Sequence, residues 1–401
     1  MRKVFASLFA LLLPSYALAG DVTEWLSVDT YFRARALSSL NGGQSGALGN
    51  STLLGRLMNE STKLQVDAEA RPMQDVLAHI RLEGETFKGA DTNFGSLAKL
   101  VLTQTYVQID NCLTDGLSIR VGSADYLMGV MQYYDLKPGR VLLETYGIRA
   151  DYSVGGVRLT AALGDSGYIR LRDNYAPLIT GAFGISGTTA SGATLSAAAE
   201  VFGELESTDG ERASTGNAAY KIVGGAKWPG DGVVKRADTY VNFARELPAV
   251  DNTRRGLHNL AIGHELQLAT SERTELGLGA MLSWSFSSAD FKQASTDNSV
   301  KFSPLIRMEI APTDILHTLV ESAYSVQYAY NGAPEDGSDV FHIWQGKVGL
   351  ILSPKGLGLL TRPHLRLLYG AQFCSDANTD CGQKSGKQWK HAVSAEFEIK
   401  F

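Results

Sequence analysis

Apolar and polar side chains alternate along residues 388–401, which read Q-W-K-H-A-V-S-A-E-F-E-I-K-F. Trp389, Phe397 and Ile399 fall on one parity, whereas Lys390 and Glu398 fall on the other. Successive side chains of a β-strand point to opposite faces. The pattern therefore predicts a strand with one apolar, aromatic face and one charged face.

The same alternation recurs along the chain, and it predicts an all-β protein of about 18 strands. Short turns alternate with long polar loops, which is typical of a transmembrane antiparallel β-barrel with short periplasmic turns and long extracellular loops. An alternative of about 16 strands stays open, because segments 117–121 and 179–185 carry the weakest pattern. The predicted strands are 26–36, 62–71, 76–85, 101–110, 117–121, 145–152, 157–164, 179–185, 193–204, 218–228, 237–245, 260–269, 274–286, 300–311, 316–328, 342–352, 364–373 and 388–401.

The two parities predict two solvents. Outward positions are almost free of charge and place aromatic residues near strand ends, as in the interfacial girdles of membrane barrels. Inward positions carry both signs of charge, and a dry core could not hold so many ions. We therefore expect a water-filled lumen, open or plugged by loops. The inward charges are Asp29, Arg33, Arg35, Lys63, Asp67, Arg81, Glu83, Arg120, Arg149, Asp151, Lys221, Asp238, Glu265, Arg307, Glu309, Glu321, Lys347, Arg366 and Glu396.

Residues 1–19 have the three parts of a secretory signal peptide: Arg2 and Lys3, an apolar run at 4–13, and a small-residue site ending at Ala19. A membrane anchor is the alternative, but the run is shorter than the roughly 20 residues that span a bilayer. We predict export and a barrel at 20–401 in the outer membrane of a Gram-negative cell, among its lipids. A net charge of −5 argues against nucleic acid as a partner.

The cysteines and the remaining motifs predict no cofactor. Cys374 and Cys381 lie close together in a polar segment, and export to an oxidising compartment favours a disulfide between them. Cys112 is left over as a free thiol. The sequence has no Gly-rich phosphate loop, paired Cys/His metal motif or EF-hand, so we also predict no metal.

One predicted outer loop, 122–140, is unusually apolar and aromatic: G-S-A-D-Y-L-M-G-V-M-Q-Y-Y-D-L-K-P-G-R. Such a loop is unfavourable in open water. We expect it to fold into the lumen and narrow the pore. The alternative is packing on the barrel rim or on a neighbouring copy. In the lumen, these side chains would face the solute: Tyr126, Tyr133, Tyr134, Asp135 and Arg140.

Several short motifs resemble those of the maltoporin family of carbohydrate-selective porins. They are R-L-M-N-E at 56–60, V-D at 28–29 followed by A-R at 34–35, Q-Y-Y-D at 132–135 followed by P-G at 138–139, T-R-P-H-L-R-L at 361–367, and A-E-F-E-I at 395–399. The resemblance implies a homotrimeric outer-membrane channel for sugars, with Arg35 and Arg56 on an ionic track at the constriction.

The sequence also departs from that family. Lys400 and Arg33 stand where the family has aromatic residues, and Ser123 and Ala124 replace a basic pair. Inward aromatics in the strands are few, Tyr31, Tyr106 and Tyr240 among them. A general porin for other small hydrophilic solutes is therefore the alternative. The pore-lining residues that we predict are Arg33, Arg35, Arg56, Arg81, Arg120, Tyr126, Tyr133, Tyr134, Asp135 and Arg140.

Passive diffusion of small hydrophilic solutes, sugars first, is the function that the sequence favours. An outer-membrane lipase or protease would need a nucleophile and a base in hydrogen-bond reach. His264 and His391 lie on the outward parity, but no serine partner stands out by its spacing, so we predict no enzymatic activity. A binding or adhesion barrel that works through its loops is the third possibility.

Overall fold

The structure is a computed structural model. It describes residues 26–40, 61–87, 101–129, 131–134, 140–142, 145–165, 178–204, 218–245, 257–287, 299–329, 340–358, 363–375 and 389–400. The signal peptide predicted at 1–19, Arg56, Asp135 and Cys381 lie outside these residues. No helix in the part of the chain described here is long and apolar enough to cross a membrane.

The described residues form an 18-stranded antiparallel sheet and one separate two-stranded hairpin, β6–β7. The strands are β1 Leu26–Ser39, β2 Ser61–Met73, β3 Val76–Phe87, β4 Val101–Ile109, β5 Leu117–Ser123, β6 Tyr126–Leu127, β7 Arg140–Val141, β8 Tyr146–Val154, β9 Val157–Asp165, β10 Leu178–Thr188, β11 Thr194–Glu204, β12 Ala218–Trp228, β13 Val234–Arg245, β14 Leu257–Ser271, β15 Thr274–Ser287, β16 Ser299–Ile310, β17 Leu316–Ala329, β18 Val340–Leu352, β19 His364–Cys374 and β20 Trp389–Lys400.

Each strand of the sheet pairs with its neighbour in the chain, and β1 also pairs with β20, so the sheet closes into a barrel. The predicted fold class is confirmed. The alternative of about 16 strands is wrong, because the two weakest predicted segments both form ladder strands. β5 pairs with β4 and β8, and β10 pairs with β9 and β11.

Short and long connections alternate around the barrel. At one end, strands are joined by tight turns such as 74–75, 155–156 and 272–273. Gly155 and Gly156 both have positive φ, at 55° and 79°, as a two-residue type I′ hairpin turn requires. At the other end, the connections are longer and include the segment between β5 and β8, which carries the β6–β7 hairpin.

The barrel is apolar outside and charged inside. Outward side chains such as Leu163 and Phe183 are 62% and 54% exposed, whereas inward Glu265 and Lys347 are 0% and 3% exposed. A soluble protein has the reverse distribution, because exposed apolar area is unfavourable in water. The faces predicted by parity are confirmed, and the outward face suits hydrocarbon as a solvent.

Three histidines on the outward face are each hydrogen-bonded to a hydroxyl on the adjacent strand. His264 bonds Thr239 at 2.8 Å, and His391 bonds Tyr369 at 2.7 Å. His342 bonds Tyr324 in the same way. A hydrogen-bonded imidazole costs less in an apolar medium than an unpaired one. These pairs therefore explain how histidines stand on a face otherwise suited to lipid.

An ionic network closes the barrel between its first and last strands. Glu396 on β20 pairs with Arg35 on β1, and on β19 it pairs with Arg366 at 2.7 Å and His364 at 3.1 Å. Glu398 lies 3.1 Å from the same imidazole. All five side chains are buried. The seam is therefore joined by charged side chains as well as by the backbone ladder.

Candidate functional site

The segment between β5 and β8 starts at a close approach between two strands. Gly122 has φ +118°, and a Cβ there would lie 2.8 Å from the Cα of Tyr106. The backbone N–H of Thr105 donates to the Ser123 hydroxyl at 2.9 Å. Glycine permits both the backbone angle and the contact. The chain then leaves the barrel wall and forms the β6–β7 hairpin.

A carboxylate on a distant strand binds the tip of this segment. The backbone N–H groups of Gln132 and Tyr133 donate to Glu265 at 2.8 and 2.6 Å. Arg236 Nη2 also lies 3.2 Å from this carboxylate. Glu265 is on β14, and the barrel wall from β5 to β14 runs through β8 to β13. These hydrogen bonds therefore join two parts of the wall that are far apart around the barrel.

Three side chains of the tip pack where the wall has glycines. A Cβ on Gly277 would lie 2.7 Å from the Tyr133 hydroxyl, and one on Gly279 would lie 2.9 Å from the Tyr134 ring. Gly263 similarly leaves room for Met131. The wall thus carries a recess that matches the tip.

The rest of the recess is apolar. The tip side chains share one buried cluster with inward residues of β13 and β16–β19: Tyr240, Leu305, Leu319, Ala323, Ile351 and Leu368. The Tyr134 hydroxyl donates to the Ser303 carbonyl at 2.5 Å. Burial raises the pKa of Tyr134, so the hydroxyl stays protonated and available as a donor.

The base of the segment is held separately. The Leu142 N–H donates to Glu200 on β11 at 3.0 Å. Val141 and Leu142 pack with Ala198 and Val223. Two inward carboxylates, one at the tip and one near the C-terminal end of the segment, therefore bind its backbone. The parity of the sequence placed Glu265 inside but gave no indication of what it binds, and Glu200 was not among the inward charges that we predicted.

Two guanidinium groups flank the Tyr133 ring. Arg236 Cζ lies 5.9 Å from the ring centroid, and Arg307 Cζ lies 5.7 Å from it. Arg307 also pairs with Glu309 at 3.1 Å. Burial is the main cause that raises the pKa of Tyr133. The ring is thus a neutral partner for the two cations.

A second group of functional side chains lies on β3–β8. Arg120 lies 3.8 Å from the centroid of the Tyr106 ring and donates to Gln108 Oε1 at 2.7 Å. His79 stacks on the same ring at 4.7 Å. Arg149, the register partner of Arg120, pairs with Asp151 at 2.9 Å. Among the residues described, no carboxylate lies within ion-pair distance of Arg120.

The predicted pore-lining residues separate into several groups. Tyr133 and Tyr134 come together in the recess, whereas the backbones of Tyr126 and Arg140 belong to the β6–β7 hairpin. Arg35 is 4% exposed and paired with Glu396.

The three remaining arginines among the described residues lie elsewhere. Arg33 is on β1, Arg81 pairs with Asp67, and Arg120 stacks on Tyr106. Their role in permeation stays a prediction, as does that of Arg56 and Asp135, which lie outside the described residues.

The His364, Glu396 and Glu398 side chains place ligand-type atoms within 4.8 Å of one another. However, Arg35 and Arg366 already pair with Glu396. A cation would have to displace two guanidinium groups, so the cluster suits the ionic seam better than a metal.

The two cysteines among the described residues differ in their bonding. Cys374 is disulfide-bonded and Cys112 is free. We predict that peptide mapping without reductant will recover Cys374 linked to Cys381, and that a maleimide will label Cys112 in the unfolded, non-reduced chain. Recovery of Cys374 as a free thiol would contradict this pairing.

The comparisons with known proteins concern the fold. OccK2 (OpdF) of Pseudomonas aeruginosa matches with a TM-score of 0.56 at 10% identity, covering 94% of this chain and 98% of that chain. OccAB1 of Acinetobacter baumannii matches with 0.55 at 11% identity, covering 96% and 98%. A structure of OccK2 in complex with glucuronate matches with 0.55 at 12% identity, covering 94% and 99%.

No family model matches this sequence, and no curated protein matches it. The maltoporin resemblance therefore stays a prediction. The solved structures are outer-membrane barrels, and the chain shares their fold over nearly its whole length.

Proposed function

We propose that this protein is an outer-membrane porin through which small hydrophilic solutes, sugars among them, diffuse passively. The observation that carries the proposal is the inverted barrel, with apolar side chains exposed outside and charges of both signs inside. A closed sheet leaves no unpaired edge in the bilayer, so such a barrel can span it. The outer-membrane fold of the neighbours supports the same role.

The segment between β5 and β8 forms the constriction in this proposal. Its tip is bound by Glu265 and packs against Gly277 and Gly279, far around the wall from the strands it connects. A connection anchored in this way crosses the barrel interior and narrows the path. The alternatives, packing on the rim or on a neighbouring copy, do not account for its contacts with inward wall residues.

The inner wall suits polar solutes without strong charge. Paired inward ions that remain partly exposed, such as Lys63 with Glu83 at 3.6 Å, offer donors and acceptors in balance. Glucuronate, the ligand named with OccK2, is a sugar acid, and Arg120 is a cation available to such a carboxylate. We therefore propose sugars as the main class and sugar acids as the second. The homotrimer implied by the sequence resemblance is part of this proposal.

Reconstitution of the full chain in planar bilayers tests the proposal. We expect stable single-channel conductance that neutral sugars reduce reversibly at millimolar concentration. Conductance unaffected by any mono- or disaccharide would exclude the sugar specificity and leave a general porin. Absence of conductance in a correctly folded barrel would exclude the porin and favour a role for the loops, and hydrolysis of lipid or peptide substrates would favour an enzyme.

Replacing Arg120 with glutamine is expected to shift the ion selectivity toward cations. Two unit charges about 4 Å apart in water interact with about 1 kcal/mol. Loss of the guanidinium charge should therefore lower the occupancy of an anion beside it roughly fivefold. The reversal potential under a KCl gradient measures the shift. Lys355→Gln removes one positive charge from an exposed turn and serves as the control. Equal reversal potentials in the two variants would show that Arg120 does not face the permeating ions.

A further inference from the structure

A cavity of about 690 Å³ lies at the short-turn end of the barrel. Its lining combines residues of β13, β14, β15 and β17 with residues of the adjoining turns. Six of its polar lining residues are Lys235, Gln267, Glu272, Arg273, Glu275 and His317. The volume falls within the range of about 300–1,000 Å³ that is usual for ligand pockets, and barrel mouths are common places for them.

The strand register places this cavity next to the tip of the segment between β5 and β8. Gln267, which lines the cavity, is the register partner of Gly277, and Gly277 is in turn the partner of Arg307. The Tyr133 hydroxyl lies over Gly277. A solute that has passed the tip would therefore enter the cavity next.

One buried polar atom of the lining has no hydrogen-bond partner among the described residues. It is Nε2 of His317, on β17. His317 lines the cavity, and its Nδ1 already bonds Glu309 at 3.2 Å. An unpaired buried polar atom costs about 1–3 kcal/mol. A ligand in the cavity that hydrogen-bonds this atom would recover part of that cost.

The charges of the lining determine the class of ligand. Lys235 and Arg273 are positive, whereas Glu272, Glu275 and Asp314 are negative. The lining thus offers both donors and acceptors, with little excess of either sign. Each hydroxyl of a sugar both donates and accepts. Among the described residues, the lining has no Phe, Tyr or Trp, so recognition would occur through hydrogen bonds rather than by stacking.

We propose that this cavity is a binding site for a neutral polyhydroxylated solute, placed on the periplasmic side of the constriction. The proposal rests on the porin function and adds a solute-binding site to the permeation path. A solute leaving the constriction exchanges water for the hydrogen bonds of this cavity before release.

Two variants test the site. Glu275→Gln removes a charged acceptor, and Gln267→Leu removes a neutral hydrogen-bonding group. Glucose and sucrose are the probes, and saturation-transfer NMR on the detergent-solubilised full chain measures their affinity. We expect Glu275→Gln to weaken binding about tenfold, the effect of losing one hydrogen bond to a charged group, and Gln267→Leu to weaken it roughly threefold to tenfold, the effect of losing a neutral one. The control is Asp231→Asn, in a turn at the same end but outside the lining.

The outcomes separate the site from the porin function. Wild-type affinity in both folded variants would overturn the site, as would equally tight binding of gluconate or spermidine. Conductance without any sugar binding would remove the site and leave the porin. Sugar binding that depends on Glu275 in a barrel without conductance would keep the site and remove the porin. Heat-modifiable mobility on gels verifies that each variant has folded.

Discussion

Replacing Glu265 with glutamine is expected to increase the single-channel conductance more than any other single inward substitution. The carboxylate accepts two backbone N–H groups, from Gln132 and Tyr133. In glutamine, an NH₂ group replaces one of the two carboxylate oxygens, and this group can only donate. At least one of the two backbone N–H groups therefore loses its acceptor. A charge-assisted bond is worth about 1.5–3 kcal/mol, so the undocked population should rise roughly tenfold to a hundredfold.

The matched control for this experiment is Glu83→Gln. It also removes one inward carboxylate, but Glu83 pairs only loosely with Lys63, at 3.6 Å on strands far from the tip. Single-channel recordings at neutral pH should show a larger or more frequently opening conductance for Glu265→Gln and little change for the control. Equal conductance in both variants would mean that the carboxylate does not hold the segment across the pore.

The recess can be tested independently of charge. Gly277→Leu would place a side chain where the Tyr133 hydroxyl lies, so we expect it to displace the tip and increase the conductance as well. Because the substitution is on the wall and not in the segment, it separates docking from the composition of the segment itself. A conductance equal to wild type in this variant would contradict the docking of Tyr133 in this recess.

The strands could be predicted from the sequence because each face of the barrel meets a different solvent. Alternation with a period of two is repeated in every strand, so even the short β5 and the Gly-rich β10 keep enough pattern to be recognised. These two strands then pair on both sides with strands whose alternation of apolar and polar residues is clearer. Strand pairing reinforces a pattern that is weak in an isolated segment.

The candidate site could be predicted only in part, because parity gives a face and not a partner. The aromatic composition of 122–140 predicted that the segment would leave water. The recess formed by Gly263, Gly277 and Gly279 could not be found in this way, since glycine carries no polarity signal. Glu265 was assigned to the inner face with many other charges, and nothing in its local sequence indicates that it binds a backbone across the barrel.

For Arg35 too, the sequence gave the face of the strand but not the partner of the side chain. Its motif implied a place on an ionic track, but the closing ladder puts it opposite Glu396. That pairing depends on the register between the first and last strands, which is set by the whole barrel. A charged residue on the inner face can therefore serve permeation or closure, and only the register distinguishes the two.

Replacing Glu396 with alanine is expected to destabilise the barrel strongly. The substitution leaves Arg35, Arg366 and His364 without their shared carboxylate in a buried environment. Removing one partner of a buried ionic pair costs about 3–5 kcal/mol, because the remaining charge is uncompensated. Urea unfolding in lipid vesicles, followed by tryptophan fluorescence, measures the change in the free energy of unfolding.

The same pair of strands offers an exposed ion pair as the control. Asp29 on β1 lies 3.7 Å from Lys400 on β20, and both side chains are more than half exposed, at 60% and 56%. An exposed pair contributes about 0–1 kcal/mol, so Asp29→Ala should change the stability little. Similar losses in the two variants would mean that β1 and β20 are held by their backbone ladder alone, and that burial of the charged network adds nothing to closure.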